Sequence, residues 1–334
     1  MPLSIIIVNY RSAQHIINCL RSAVQFPSAQ KFEWIIADNN SQDGSKALIT
    51  QQFPFIKWID MNYNAGFARA NNAGIQASAG ETVLLLNPDT IILDDAIQKC
   101  YERFSASAHA ACAVQLLNED GTPQITGNYF MTGGLNHLLP LPYTGAVLRK
   151  IAFAFGAKKT NVPQAADGQI VDWINGAFLM VKKSAIEKAG LMDEDFFLYS
   201  EEIEWCSRIK KAGTLCVYGS LHTIHLQGET TAAATGAAEK GYYDLYTKKG
   251  LQLMVSNHLR IRKQFGAGWF LFHLIMHTIA IPVFSLCSIF DNLFHRRHPF
   301  ATLPKVEAFT ENTMQIWKLM PKMISNKPHF YKMM

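Results

Sequence analysis

The sequence is poor in formal charge: Asp, Glu, Lys and Arg make up 17% of 334 residues, while 49% are hydrophobic. That balance excludes a disordered chain, which combines low hydrophobicity with high net charge. Glycine and proline, at 21 and 13 residues, are too few for a collagen-like rod. The six cysteines (Cys19, Cys100, Cys112, Cys206, Cys216 and Cys287) form no CxxC pair and sit in apolar stretches. They read as reduced core thiols of a cytosolic protein, not as a disulfide framework. The many long apolar spans of a polytopic transporter are missing, as are internal repeats. The opening apolar run, Leu3 to Val8, is too short for a signal peptide and ends at Asn9.

Several nucleotide and hydrolase motifs are absent too. No GxGxxG follows the first apolar run, and there is no GxxxxGK[ST], GxSxG or HExxH. A dinucleotide-binding Rossmann site, a P-loop and the common serine and zinc hydrolase sites are thereby excluded. Nucleotide binding then has to rest on carboxylates and a metal ion.

What is present is an alternation of strand and helix signals, which predicts an α/β fold. Leu3 to Val8 is a continuous β-branched run, as in a strand buried on both faces. Ile16, Ile17, Leu20, Ala23 and Val24 recur at helical spacing. Strands are expected at 32–37, 55–59 and 82–86, with helices at 45–53, 67–78 and 94–104. This βαβα rhythm implies a mostly parallel sheet with right-handed crossovers and flanking helices. Residues 118–170, rich in Gly, Pro, Thr and Asn, read as a long irregular excursion over a site. Regular patterning returns over 171–181, followed by a helix at 184–188 and an amphipathic helix at 200–211. Glu201, Glu202 and Glu204 occupy the first turn of that last helix, and Arg208, Lys210 and Lys211 its end.

Charge is unevenly spread. Net charge is +5 overall, yet residues 255–334 alone carry ten Lys/Arg against three Asp/Glu. Residues 264–290 hold no formal charge and are flanked by Arg260, Arg262 and Lys263 on one side and Arg296 and Arg297 on the other. This stretch is long enough to cross a bilayer, but His273, His277 and Pro282 equally suit a re-entrant or surface-lying hairpin, or a buried helix. A basic, apolar tail favours an anionic membrane surface over nucleic acid as partner.

In an open parallel sheet, ligands bind beyond the carboxyl ends of the strands. Polar groups recur at those exits: Asn9 and Tyr10, then Asp38 to Ser45, then Asn62 to Gly66, then Asn87 to Thr90. Each alone is ordinary turn chemistry; four in register mark a site. Asp89, directly after a buried strand, is the metal candidate. One carboxylate suits Mg²⁺ or Mn²⁺, which take further ligands from water and substrate phosphates. His222 and His225 are candidates to complete the shell. Glu201 and Glu202 follow the aromatic run Phe196 to Tyr199, and desolvation there would raise a carboxyl pKa toward that of a general base.

The ordered set IIIVNY (5–10), ADNNSQDGS (37–45), NAGFARANNAG (64–74), LLLNPDT (84–90), the segment 171–213 and HLQG (225–228) resembles glycosyltransferase family 2, in its rhamnosyltransferase-like branch. The resemblance spans residues 3–228. It implies a GT-A-type Rossmann-like fold and inverting transfer from a nucleotide-diphosphate sugar, dTDP- or UDP-linked. By similarity, Asp38 accepts a hydrogen bond from the donor base, while Asn9, Tyr10, Gly66 and Phe67 line the nucleotide. Asp89 matches the last carboxylate of the metal motif, Asn87 stands where the fuller motif has Asp, and His225 matches the downstream metal ligand. Glu202 aligns with the catalytic base, with Glu201 adjacent; Asp172, Trp173 and Gly176 match a segment near sugar and acceptor.

The expected organisation is a glycosyltransferase domain over 1–255, with a nucleotide-sugar half (1–117) and an acceptor half (118–255). A helical membrane-associating region follows over 256–334. The expected role is addition of a sugar to a glycan or lipid-linked acceptor on the cytoplasmic side of a bacterial inner membrane. Rival readings are a polyprenyl-phosphate sugar synthase and a non-catalytic, membrane-docked nucleotide-sugar sensor.

Overall fold

Runs of β-branched residues flanked by polar turns fold as the alternation requires. A computed structural model describes residues 2–226 and 244–334. In chain order it contains β1 (Leu3–Asn9), α1 (Ala13–Val24), β2 (Glu33–Asp38), α2 (Ser45–Gln52), β3 (Lys57–Asp60), α3 (Gly66–Ala77), β4 (Thr82–Leu86), β5 (Thr90–Ile92) and α4 (Ala96–Ser105). Then come β6 (Ala111–Leu117), β7 (Gly127–Asn128), α5 (Thr144–Ala154), β8 (Asn161–Val162), β9 (Asp167–Val171), β10 (Trp173–Ile174), β11 (Phe178–Lys182), α6 (Lys183–Ala189), α7 (Glu201–Ile209) and β12 (Leu215–His225). Three further helices follow: α8 (Lys248–Phe265), α9 (Ala267–Phe294) and α10 (Leu303–Ser325).

The described residues fall into two compact units interleaved in sequence. One comprises the chain to Tyr129, Asn161–Glu194 and the chain from Glu201 through β12. The other comprises Phe130–Thr160, Asp195–Ser200 and the described residues from Asp244 onward. The expected boundary at 255/256 lies inside α8, where Val255 and Ser256 are both buried.

The first unit is built on a nine-stranded sheet in the order β3-β2-β1-β4-β11-β6-β12-β5, with β9 also on β12. β3, β2, β1 and β4 are mutually parallel, as the βαβα rhythm predicts. Beyond β4 the sheet is mixed: β11 is antiparallel to β4 and β6, and β12 runs parallel to β6 but antiparallel to β5 and β9. Buried Ile16, Ile17, Leu20 and Ala23 form the inner face of α1, the stripe seen in the sequence. α3 lies so close on β1 that a Cβ at Gly74 would come within 2.5 Å of Ile6 Cγ2. All six cysteines are free thiols, and five are buried. Residues 118–170 hold more regular structure than expected. α5 escapes sequence reading because it buries only Gly145 and leaves Val147, Ile151 and Phe153 exposed, so it lacks an apolar stripe. β12 escapes because Gly219 and Ser220 interrupt its apolar run at a register shift between Tyr218 and His222.

The second unit is helical. α9 runs unbroken through Pro282, so from Ala267 onward the uncharged stretch is one helix with no bend into a hairpin at that proline. Its inner face (Phe270, His273, Leu274, His277, Ala280 and Phe284) is buried, and this face places α9 in the core of the unit. Gly133, at φ 62°, lets Trp269 pack directly on the backbone; a Cβ there would lie 2.3 Å from the indole. Asp195 and Lys263 form a mostly buried ion pair at 2.7 Å. The Asp195 carboxylate also accepts the His329 N–H at 2.8 Å, tying the C-terminal segment into the unit.

His258, His273 and His277 cluster in this core, with ring centroids of His258 and His277 4.6 Å apart. Nδ1 of His258 and of His277, and Nε2 of His273, each meet a backbone carbonyl. Burial pushes His273 and His277 down to about 4 and His258 well below its ordinary value. Neutral in the folded state, these imidazoles bind fewer protons there than in the unfolded chain. Their contribution is therefore complete above about pH 6.5 and is lost as pH falls toward 4. Hydrogen exchange across that interval is expected to accelerate in α8 and α9 before β1 and β4; equal protection of both units at pH 4.5 would contradict this.

Candidate active site

The site is assembled at the carboxyl ends of β1, β2 and β4. Asn9 ends β1 and Asp38 ends β2, directly paired in the parallel register. The Asn9 amide donates to Asp38 Oδ1 at 2.7 Å and to Ser41 Oγ at 3.1 Å. Ser41 donates its hydroxyl to Asp38 Oδ1 at 2.5 Å and its N–H to Oδ2 at 3.1 Å. The carboxylate is thus held in one orientation, and its acceptor capacity of about four lone pairs is not filled by these contacts. Tyr10 is half-buried beside Arg11, whose guanidinium lies 5.5 Å from the ring.

The loop after β2 grips the start of α3. Asn39 Nδ2 donates to the Gly66 carbonyl at 3.0 Å, and its Oδ1 accepts the Ala65 N–H at 3.1 Å. Gly66 has φ 75°, a left-handed conformation that a side chain would strain. It sets the adjacent Phe67 toward Gly176, where a Cβ would lie 3.5 Å from Phe67 Cζ and 3.6 Å from Glu202 Cβ. Three elements therefore meet at Gly176: α3, the β10–β11 turn and α7.

The same turn reaches the metal candidates. Asn87 N–H donates to the Ala177 carbonyl at 3.0 Å, and its side-chain amide donates to His225 Nε2 at 3.3 Å. His225 lies opposite Thr90 in the antiparallel β12–β5 pair. This places its Nε2 3.5 Å from Asp89 Oδ1. Asp89 is 1% exposed. Burial pushes its carboxyl pKa up, but His225, and more weakly His15, outweigh that and hold it below the usual range. On the far side of the ring, His225 Nδ1 lies 3.0 Å from Gln124 Oε1. With its N–H there, the ring presents Nε2 as an acceptor on the side where the Asn87 amide and Asp89 lie. One oxygen and one nitrogen ligand fit a divalent ion that draws its remaining ligands from phosphate and water. Among the described residues no group of three or more His, Cys, Asp or Glu side chains is arranged to hold a metal.

The two glutamates separate by burial. Glu201 is 3% exposed, whereas Glu202, one residue further round α7, is half-buried beside Gly176. Tyr199 and Ser200, at φ 73° and 68°, turn the chain sharply into the helix. Glu204 is taken up by a two-pronged pair with Arg208 at 2.8 Å, a structural link. Asn9 with Asp38, Phe67 with Gly176 and Glu202, and Asn87 with Asp89 and His225 thus form three groups, linked through the chain neighbours Asn39 and Ala177. Asp172 instead pairs with Lys210, and Trp173 packs from β10 against the core. His222 is exposed on β12, because residues three apart on a strand face opposite sides. Gln227 and Gly228 of the HLQG motif lie outside the described residues. Asn39 and Gln124 were not singled out by sequence reasoning: Asn39 lay within a polar loop already flagged, while Gln124 had no local signal.

Residues 4–160 match the family described as Glycosyl transferase family 2. A low-salt glycan biosynthesis hexosyltransferase of Haloferax volcanii is 30% identical over 218 residues, 63% of this chain and 62% of that protein, so somewhat less than two thirds of its length is spanned. An N-acetylglucosaminyl-diphospho-decaprenol L-rhamnosyltransferase of Mycobacterium tuberculosis is 24% identical over 261 residues, 72% of this chain and 82% of that one. In fold, the chain is similar to a mannosyltransferase of Pyrobaculum calidifontis solved with GDP-Man and Mn²⁺, with a TM-score of 0.52, 13% identity, and coverage of 97% of this chain and 84% of that one. Over residues 4–160 the chain is thus similar to glycosyltransferase family 2, and its fold is of the GT-A type.

Proposed function

We propose that this protein is an inverting glycosyltransferase that moves a sugar from a dTDP- or UDP-sugar to a hydroxyl of a lipid-linked glycan acceptor. The observation that carries the proposal is the gathering of three groups at one rim of the sheet: Asn9 with Asp38, Phe67 with Gly176 and Glu202, and Asn87 with Asp89 and His225. The name of the mycobacterial relative specifies rhamnose and a diphospho-decaprenol acceptor, which supports a deoxysugar donor and a lipid-linked acceptor.

In this reading Asp38 and the Asn9–Tyr10 backbone hold the nucleotide, and Phe67 with Gly176 shapes the sugar site. Glu202 takes the proton of the acceptor hydroxyl as its oxygen bonds to the anomeric carbon. The bond from that carbon to the diphosphate breaks on the opposite face, inverting the centre. Asp89 and His225 would hold a Mg²⁺ or Mn²⁺ ion, which supplies charge neutralisation for the departing diphosphate. A base is needed for a neutral hydroxyl but not for a polyprenyl phosphate, so the placement of Glu202 favours the hydroxyl acceptor. Asp172 and Trp173 belong to the acceptor side through the segment that leads to Gly176.

Incubation of the full chain with nucleotide sugars and a lipid-linked acceptor, with and without Mn²⁺, tests the activity. Glu202→Gln is expected to lower turnover by about 10²–10⁴-fold, with donor affinity retained. Near-normal turnover in that variant would remove Glu202 from the role, and no transfer or donor hydrolysis with any donor would favour a sensor.

The partner surface in this reading is the cytoplasmic leaflet of a bacterial inner membrane. α9 is long and apolar enough to cross a membrane by length and composition. Its buried inner face instead suits a helix lying on the bilayer, with Ile275, Ile279, Leu286, Phe290 and Phe294 exposed on the outer side and Arg296 and Arg297 following. Phe290→Asp with Phe294→Asp is expected to reduce sedimentation with anionic vesicles while leaving transfer to a soluble acceptor intact. Undiminished sedimentation would exclude this face as the anchor.

A further inference from the structure

We propose that a one-directional hydrogen-bond relay in the turn after β6, running Asp120–Thr122–Asn118–Gln124, sets the tautomer and orientation of His225, with Gln124 as its positioning residue. The consequence for cation binding rests on the reading of Asp89 and His225 as metal ligands; the relay itself does not.

The direction of the relay follows from its outer end. An ionised carboxylate can only accept, so the Thr122 hydroxyl, 2.6 Å from Asp120 Oδ1, spends its proton there. The Thr122 oxygen must then accept from its next neighbour, Asn118 Nδ2, at 2.8 Å. That fixes the Asn118 amide, whose Oδ1 faces Gln124 and accepts from Gln124 Nε2 at 2.8 Å. The Gln124 amide is fixed in turn, because its Nε2 also donates to the His225 carbonyl at 2.5 Å. Flipping it would set an oxygen against two acceptors. Gln124 Oε1 therefore faces His225 Nδ1 at 3.0 Å as an acceptor, and Nδ1 must carry the hydrogen.

Two results follow for the ring. Its proton is held on the side away from Asp89, and its Nε2 faces the side where Asp89 Oδ1 lies 3.5 Å away and the Asn87 amide donates at 3.3 Å. Gln124 also grips the main chain and the ring of the same residue, which resists rotation of the imidazole. The grip is itself anchored: Gln124 is buried, its N–H donates to the Leu116 carbonyl at 2.8 Å, and its carbonyl accepts from Gln115 Nε2 at 2.6 Å. A histidine that donates one ring N–H to a fixed acceptor and presents the other nitrogen is the arrangement that tunes metal-ligating histidines, and loss of such a partner typically weakens metal binding about 10–100-fold.

The test has two arms on the full-length protein. In the first, ¹⁵N-histidine NMR reads the tautomer without metal. The wild type is expected to show Nδ1–H at His225, with Gln124→Leu and Thr122→Val both moving it toward a mixture. An unchanged tautomer in both variants, or an Nε2–H wild type, would overturn the relay. In the second, free Mn²⁺ is measured by electron paramagnetic resonance in the presence of UDP. Gln124→Leu is expected to weaken Mn²⁺ about 10–100-fold, whereas Glu119→Ala, exposed in the same turn but outside the relay, stays near wild type. Equal loss in both variants would mark a merely structural role and overturn the positioning claim. If Gln124→Leu does not fold, Thr122→Val in its exposed turn carries the same comparison, weaker in size and equal in sign. His225→Ala separates the two readings: if it too leaves Mn²⁺ binding unchanged, the metal assignment fails, while the NMR arm still decides the relay.

Discussion

The arrangement of the site depends on one backbone register. β12 pairs antiparallel with the three-residue strand β5, which sets His225 opposite Thr90. Strand pairing fixes Cα positions to within a hydrogen bond, and a slip of one residue would turn His225 to the other face of the sheet. The loop after β4 is held at both ends: Asn87 by the Ala177 carbonyl, and Asp89 through its own carbonyl, which accepts the Leu226 N–H at 2.9 Å. Polar side chains with little local reason to meet are thereby brought together by ladder hydrogen bonds, each modest in net worth but costly to leave unmade when buried.

The parallel half of the sheet was legible because burial on both faces leaves an unmistakable signature. Ile5 to Val8, Trp34 to Ala37 and Val83 to Leu86 are continuous apolar runs, each followed at once by polar residues. The strand exits, and hence Asn9, Asp38 and Asp89, could be read from that pattern. What the local pattern did not carry was the pairing of distant segments. β12 is broken by Gly219 and Ser220, and only its register against β5 separates His225 from His222. Neighbouring Glu201 and Glu202 look alike in sequence, yet in the folded chain Glu201 is buried and Glu202 half-buried. Gln124 was invisible for the same reason: its role exists only through a residue 101 positions away.

The helical unit shows a different compromise. α9 is apolar around most of its circumference, yet its histidines all lie on the buried side, where their ring N–H groups find backbone carbonyls. Polar groups inside a dry core are tolerated when they are hydrogen-bonded. The outward face carries no such groups and exposes aliphatic and aromatic surface that a solvated helix would not. One helix thus meets two apolar environments, one made by the protein and one proposed to be lipid.

The interleaving of the two units along the chain has a bearing on how either could be exchanged. Phe130–Thr160 and Asp195–Ser200 are helical-unit segments inserted between pieces of the sheet unit. No single recombination point can exchange one unit for a homologous one intact. The chain crosses between the two bodies at 129/130, 160/161, 194/195 and 200/201, so an exchange of either one takes several cuts.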